Sequence, residues 1–147
     1  MITIITVNFN NYDGLVRTVN SFLNQASENN SLLIVDGGST DGSVEYLASL
    51  TASDRLRWLS EPDGGIYEAM NKGITLSESK YVAFINSGDE LYNHNTLQRI
   101  ESEIDKKPNY GLYIFGTYNC RLGTIQRKRF FRPLRRVGVC HQRVIDN

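Results

Sequence analysis

The 147-residue chain is long enough for one domain with a sizeable core. Apolar residues make up 40% of it and charged residues 22%, and the formal net charge is +0, which excludes both a disordered chain and a polycation built for polyanions. Cys120 and Cys140 are too few for a disulfide framework and lack metal-type spacing, so both are expected as reduced thiols. The first residues, Met1 to Val7, carry no basic region and too short an apolar run for a signal peptide. No stretch approaches the roughly 20 apolar residues that cross a bilayer. A cytoplasmic protein is expected, with at most peripheral contact with the membrane's cytoplasmic face.

The elements alternate along the chain. Residues 2–7 form a β-branched run of the kind a buried strand needs. Leu15, Val19, Phe22 and Leu23 then recur at helical spacing, with Asn11 or Asp13 as N-cap. Residues 31–35 predict a second strand, and Val44, Leu47 and Ala48 a second helix. Residues 55–60 predict a third strand, followed by a helix with Ile66, Ala69, Met70 and Ile74 on one face. Residues 81–85 predict a fourth strand, Leu97, Ile100 and Ile104 a helix, and residues 112–115 a fifth strand. Such alternation predicts an α/β fold, a mostly parallel sheet flanked by helices. Past Gly116 the pattern decays into a hairpin over residues 118–126 and a basic segment, so the expected division is residues 1–116 and 117–147.

Charge is unevenly spread. From Lys106 to Ile145 there is no acid, while ten Lys and Arg residues fall there. This block suits a phosphate-bearing ligand or an anionic membrane surface, and equally a solvated face with countercharges elsewhere.

Four segments after predicted strands are rich in Asn, Asp, Gly and Ser. They begin at Asn8, at Asp36, at Glu61 and at Asn86. One such loop is a turn, but four on the carboxyl edge of a parallel sheet make a polar ligand cleft. Asp36 can accept a hydrogen bond from a base N–H, or cap a turn, and Asp41 is better suited to capping. Gly64 and Gly65 before a helix let a phosphate approach backbone N–H groups. Asp89 has no cationic neighbour in sequence and suits a hard divalent cation on diphosphate oxygens, or a solvated turn.

These segments, with Thr6-Val7-Asn8-Phe9-Asn10, Asp36-Gly37-Gly38-Ser39-Thr40-Asp41, Asp63-Gly64-Gly65-Ile66-Tyr67-Glu68-Ala69-Met70-Asn71 and Asn86-Ser87-Gly88-Asp89 in this order, resemble the family 2 glycosyltransferases with a GT-A fold. The resemblance implies a Rossmann-related fold and inverting transfer of a sugar from a UDP- or GDP-linked donor to a polysaccharide or glycolipid acceptor. It implies that Thr6, Val7, Asn8 and Asp36 hold the nucleoside, and that Gly37 is among the residues that bind the nucleotide-sugar. Asp63, Gly65, Asn71, Asn86, Ser87 and Gly88 would line the rest of the donor, and Asp89 would bind Mn²⁺ or Mg²⁺. His141, within Cys140-His141-Gln142, would touch the acceptor or diphosphate.

The sequence departs from the family pattern at three places. Gly37 replaces a frequent second Asp. Asn86 and Gly88 leave Asp89 as the retained acid of the metal motif. The general base that inverting transfer requires is expected downstream of His141 and beyond Asn147, leaving Asp146 little weight, as in a chain truncated at its C-terminus. A nucleotide-sugar-binding module without transfer is the alternative. A dinucleotide oxidoreductase is disfavoured, because no G-x-G-x-x-G follows the first strand.

Overall fold

The computed structural model describes residues 1–50, 55–108, 111–113, 117–121 and 124–128, the last two segments as backbone. Strand β1 (Ile2–Asn8) is buried at every residue. This is the signature of a central parallel strand covered on both faces. It lies in a four-stranded sheet with β2 (Ser31–Asp36), β3 (Leu56–Ser60) and β4 (Tyr81–Phe84), in the order β3-β2-β1-β4. All three pairings are parallel. Helices α1 (Tyr12–Leu23), α2 (Ser43–Ser49) and α3 (Ile66–Leu76) connect these strands in turn.

Helix α1 starts where Asn11 accepts the Gly14 N–H through its side chain at 3.3 Å. Its buried residues, Gly14, Leu15, Thr18, Val19 and Phe22, recur every three to four positions and form one face. Leu15 and Phe22 are fully buried, and each contributes roughly 1.5–3 kcal/mol by leaving water. Arg55 sits over the Phe22 ring, 5.6 Å from its centroid, and donates to the carbonyls of Ser27 and Asn30. Buried Asn30 in turn accepts the Ile2 N–H. These polar ties hold the amino-terminal ends of the strands.

Helix α3 packs part of the face that the sequence predicts, Ala69 and Met70, but not its two isoleucines. Ile66 and Ile74 are exposed, while Ala69 and Gly73 are buried. A Cβ on Gly73 would lie 2.5 Å from Cγ2 of Ile5, so the helix approaches β1 more closely than a larger residue permits. Ala69, with Met70 beside it, packs on Val7, Leu33 and Val35.

Two compact units divide the chain, residues 1–98 and 99–147. The first holds the parallel sheet. The second holds most of α4 (Thr96–Lys106) and a two-stranded antiparallel hairpin, β5 (Thr117–Arg121) with β6 (Thr124–Lys128). Arg121 pairs with Thr124 at the end of its register, in keeping with the hairpin predicted over residues 118–126. The strand expected over residues 112–115 is not found at Leu112 and Tyr113, and the other two positions lie outside the described residues. A four-residue apolar run carries no periodicity that distinguishes a strand from a loop. Among the described residues no helix is long and apolar enough to cross a membrane.

The chain builds outward from β1 through β2 to β3, then returns to the other side of β1 for β4. The strand order therefore reverses between β1 and β4. The crevice beyond the carboxyl ends of these two strands is where open α/β sheets bind ligands.

Candidate functional site

The parallel register aligns the last residues of three strands, Asn8, Asp36 and Ser60, in one row. Asp36 is fully buried at its centre. Its Oδ1 accepts Asn8 Nδ2 at 2.7 Å and Ser39 Oγ at 2.6 Å. Its Oδ2 accepts Ser60 Oγ at 2.7 Å and the N–H groups of Gly38 and Ser39 at 3.1 and 2.9 Å. Burial alone would raise its pKa, but the hydrogen bonds from Ser39, Ser60 and Asn8 outweigh it and hold the carboxyl below the usual range. A carboxylate offers about four lone-pair sites, and five donors already use them. Asp36 thus organises the loops here and presents no open acceptor to a base.

The loops after β1 and β2 are joined to each other. Ser39 Oγ accepts the Asn10 N–H at 2.8 Å, and Asn10 Oδ1 accepts the Thr40 N–H at 2.8 Å. Asp41 Oδ2 accepts the Tyr12 N–H at the start of α1, and its Oδ1 accepts the Ser43 N–H and Oγ at the start of α2. Asp41 is therefore a cap, as the sequence suggests, but for two helices at once. The Ser43 hydroxyl is the main cause of its lowered pKa. Between these ties the Phe9 ring stands 65% exposed, a position no turn or core requires.

At the start of α3, Asp63 Oδ1 accepts the Gly65 N–H at 2.8 Å and Glu68 Oε2 accepts the Gly64 N–H at 2.9 Å. The two amides expected to meet a phosphate are already engaged by carboxylates. The Gly64 amide, then Lys72, lowers the Glu68 pKa. Lys72 pairs with Glu61 at 2.9 Å and Glu68 at 3.3 Å. Asn71 lines a groove of about 360 Å³ with Leu59, Glu61, Glu68, Lys72, Thr75 and Leu76, on the β3 side of α3.

Beyond β4 the chain continues along β1, with Ile85 N–H bonded to Ile5 O and Ser87 N–H to Val7 O. Val7 takes part through this carbonyl, because its side chain belongs to the core. The turn is then fastened to α1. Thr18 Oγ1 donates to Asp89 O at 2.7 Å and accepts the Gly88 N–H at 2.9 Å. Asn11 Nδ2 donates to Ser87 O at 2.9 Å. Gly88 has φ +103°, a left-handed conformation that glycine adopts without a Cβ clash. The Asp89 side chain emerges from this turn exposed, yet the protein around it is dense enough for burial to raise its pKa. Asp89 makes no ion pair with the described residues. Arg17 pairs with Glu90 at 3.7 Å, which engages Glu90 rather than leaving it for a metal.

Three buried side-chain atoms have no hydrogen-bond partner among the described residues: Thr6 Oγ1, Asn8 Oδ1 and Asn86 Oδ1. All belong to residues predicted as binding residues, on β1 or directly after β4. Unpaired buried polar atoms cost about 1–3 kcal/mol each and are uncommon, so three on β1 and directly after β4 single out these two neighbouring segments. The Asn86 oxygen and the Asp89 carboxylate are oxygen donors of the kind a hard cation takes. No group of three His, Cys, Asp or Glu residues capable of holding a metal occurs among the described residues, so a cation here would draw its remaining ligands from elsewhere. Cys140, His141 and Asp146 lie outside the described residues.

Sequence reasoning did not single out Ser60 or Thr18, and it gave Asn10 and Ser39 only as members of their motifs. The signal for Thr18 was present: a polar residue on the buried face of α1, four residues after Gly14.

The Glycosyl transferase family 2 model matches residues 3–141, and the chain belongs to that family. An uncharacterized glycosyltransferase of Mycobacterium tuberculosis is 37% identical over 117 residues, 78% of this chain and 44% of that protein. A PGL/p-HBAD biosynthesis glycosyltransferase of Mycobacterium bovis is 31% identical, covering 98% of this chain and 58% of that protein. The chain spans about half the length of the curated relatives it matches. Among solved structures, S. aureus TarS 1–349 in complex with UDP-GlcNAc matches with a TM-score of 0.66 at 22% identity, over 71% of this chain and 31% of that one. The mannosyltransferase PcManGT from Pyrobaculum calidifontis, in complex with GDP-Man and Mn²⁺, matches with a TM-score of 0.66 at 19% identity, over 75% of this chain and 33% of that one. These likenesses establish the GT-A fold.

Proposed function

We propose that this chain is the donor-binding part of an inverting glycosyltransferase, which moves a sugar from a UDP- or GDP-linked donor to a polysaccharide or glycolipid acceptor. The observation that carries this reading is the set of unpaired buried acceptors, Thr6 Oγ1, Asn8 Oδ1 and Asn86 Oδ1, on β1 and directly after β4. Ribose hydroxyls and base N–H groups are donors that would complete them. The reading is supported by family membership and by the nucleotide-sugars held in the TarS and PcManGT complexes.

Asp89 and the Asn86 oxygen would hold Mn²⁺ or Mg²⁺. The cation, when bound, neutralises charge on the leaving nucleoside diphosphate. Thr18 and Asn11 fix the turn that carries both residues, and Asp36 fixes the loops beside them. Inverting transfer also needs a carboxylate base, assigned here to the region downstream of His141.

Thermal unfolding with UDP or GDP, each with and without Mn²⁺, tests this reading. A nucleotide that binds the folded chain raises the midpoint, by about 2.7 kcal/mol of stabilisation at a hundredfold excess over Kd. An unchanged midpoint with every nucleotide would overturn the proposal.

A further inference from the structure

We infer that Asp63 is the residue that reads the nucleobase, through its outward oxygen Oδ2, and that it selects uracil over guanine and cytosine. This rests on the donor-binding reading above and makes it specific.

Two observations remove the other carboxylate candidates. Asp36 has both oxygens filled by five donors within the protein. Position 37, next along the same loop, is glycine and offers no side chain. The structure shows what stands there instead. A Cβ built on Gly37 would lie 3.1 Å from Asp63 Oδ2 and 3.3 Å from Cδ2 of Phe9. The Asp63 carboxylate, reaching from the β3–α3 loop, therefore occupies the space in which a side chain at 37 would begin. It stands beside an exposed aromatic ring of the kind on which a planar base stacks.

The two oxygens of Asp63 are not equivalent. Oδ1 holds the Gly65 N–H at 2.8 Å, which fixes the carboxylate's orientation. Oδ2 has no hydrogen bond or ion pair with the described residues. One open oxygen matches one donor, the N3–H of uracil. Guanine presents N1–H and N2–H side by side and is matched by two carboxylate oxygens, as other forked donors are. Cytosine presents N3 as an acceptor where uracil presents N3–H, so a base held in the same pose is repelled by Oδ2 and could satisfy it only by shifting to offer its N4–H₂ group.

The same geometry defines the test. In an Asp63→Asn variant the amide oxygen retains the Gly65 N–H, so the NH₂ group faces the base. That group opposes uracil N3–H and complements cytosine N3. Isothermal titration of the full chain with UDP, GDP and CDP in Mn²⁺ should show UDP binding tightest to the wild type. Asp63→Asn should weaken UDP at least about tenfold while CDP binding holds or tightens, as expected for loss of a charged hydrogen bond. Gly37→Ala, whose methyl group would crowd Oδ2 without changing any charge, should also weaken UDP, and it remains informative if Asp63→Asn does not fold. Wild-type UDP affinity in both variants would overturn the assignment to Asp63 and leave donor binding standing. GDP binding as tight as UDP in the wild type would overturn the selection of uracil. A wild type that binds no nucleotide would bring down the donor-binding reading itself.

Discussion

One aspartate ends β2 and another stands in the turn that follows β4, and their surroundings are opposite. Asp36, after β2, is fully buried and receives five hydrogen bonds, so its charge is held by the fold and its pKa lies below the usual range. Asp89, after β4, stands exposed without an ion pair, and the protein around it raises its pKa. Identical chemistry thus serves architecture in one loop and is left open in the other. What separates them is the supply of donors: Ser39, Ser60, Asn8 and two backbone amides converge on Asp36, while the donors near Asp89 bond to carbonyls or to Glu90.

Removing the buried charge should have the largest effect. Asp36→Ala leaves several buried donors unpaired and is expected to cost about 3–5 kcal/mol of folding stability. Urea unfolding should show a lower midpoint at an unchanged slope. A loss below about 1 kcal/mol would mean the network is not the organiser described here. An intermediate effect is expected from Thr18→Val, which removes the hydroxyl that links α1 to the Gly88 amide and the Asp89 carbonyl. About 1–3 kcal/mol should be lost, and any Mn²⁺-dependent nucleotide stabilisation should shrink with it. Metal dependence retained at full strength would show that the turn holds its geometry without Thr18.

The smallest effect on folding, and the sharpest on function, belongs to Asp89→Ala. Its stability at neutral pH should stay within about 0.5 kcal/mol of wild type, as for an exposed unpaired group, while the Mn²⁺-dependent part of the nucleotide shift disappears. Acid should separate the two aspartates in the wild type. Asp36 has a depressed folded pKa, so its contribution is complete above the unfolded value and is lost only as the pH falls through the depressed one. Asp89 has a raised folded pKa, so it takes up its proton earlier in acidification and a metal ligand is lost there. Midpoints measured against pH should therefore lose metal dependence before they lose the Asp36 contribution. The reverse order would contradict the assignment.

Much of this arrangement was legible in the chain. Strands β1 to β4 follow from apolar runs separated by helical spacing, and the Asn, Asp and Gly segments after them mark the binding edge. The details that decide each residue's role were not legible, because they depend on groups distant in sequence. Ser60 reaches Asp36 across 24 positions, and Thr18 reaches Asp89 across 71. Arg17 meets Glu90 only because α1 packs beside the last turn. The exact face of α3 is hidden for a related reason: apolar size adds Ile66 and Ile74 to Ala69 and Met70, whereas close approach to Ile5 favours Gly73 beside Ala69.

Asp41 has a consequence for affinity as well as for folding. By accepting from Tyr12 at one helix and Ser43 at the next, it brings the positive ends of two helix dipoles onto a single charge and turns two loops into one joint. Loops that are mobile before a ligand arrives lose conformational entropy when it binds, and the complex is weaker by that amount. Here that ordering has been completed during folding, so a molecule entering beside Phe9 meets walls already at rest, and the strength of its contacts carries over into binding with little deducted.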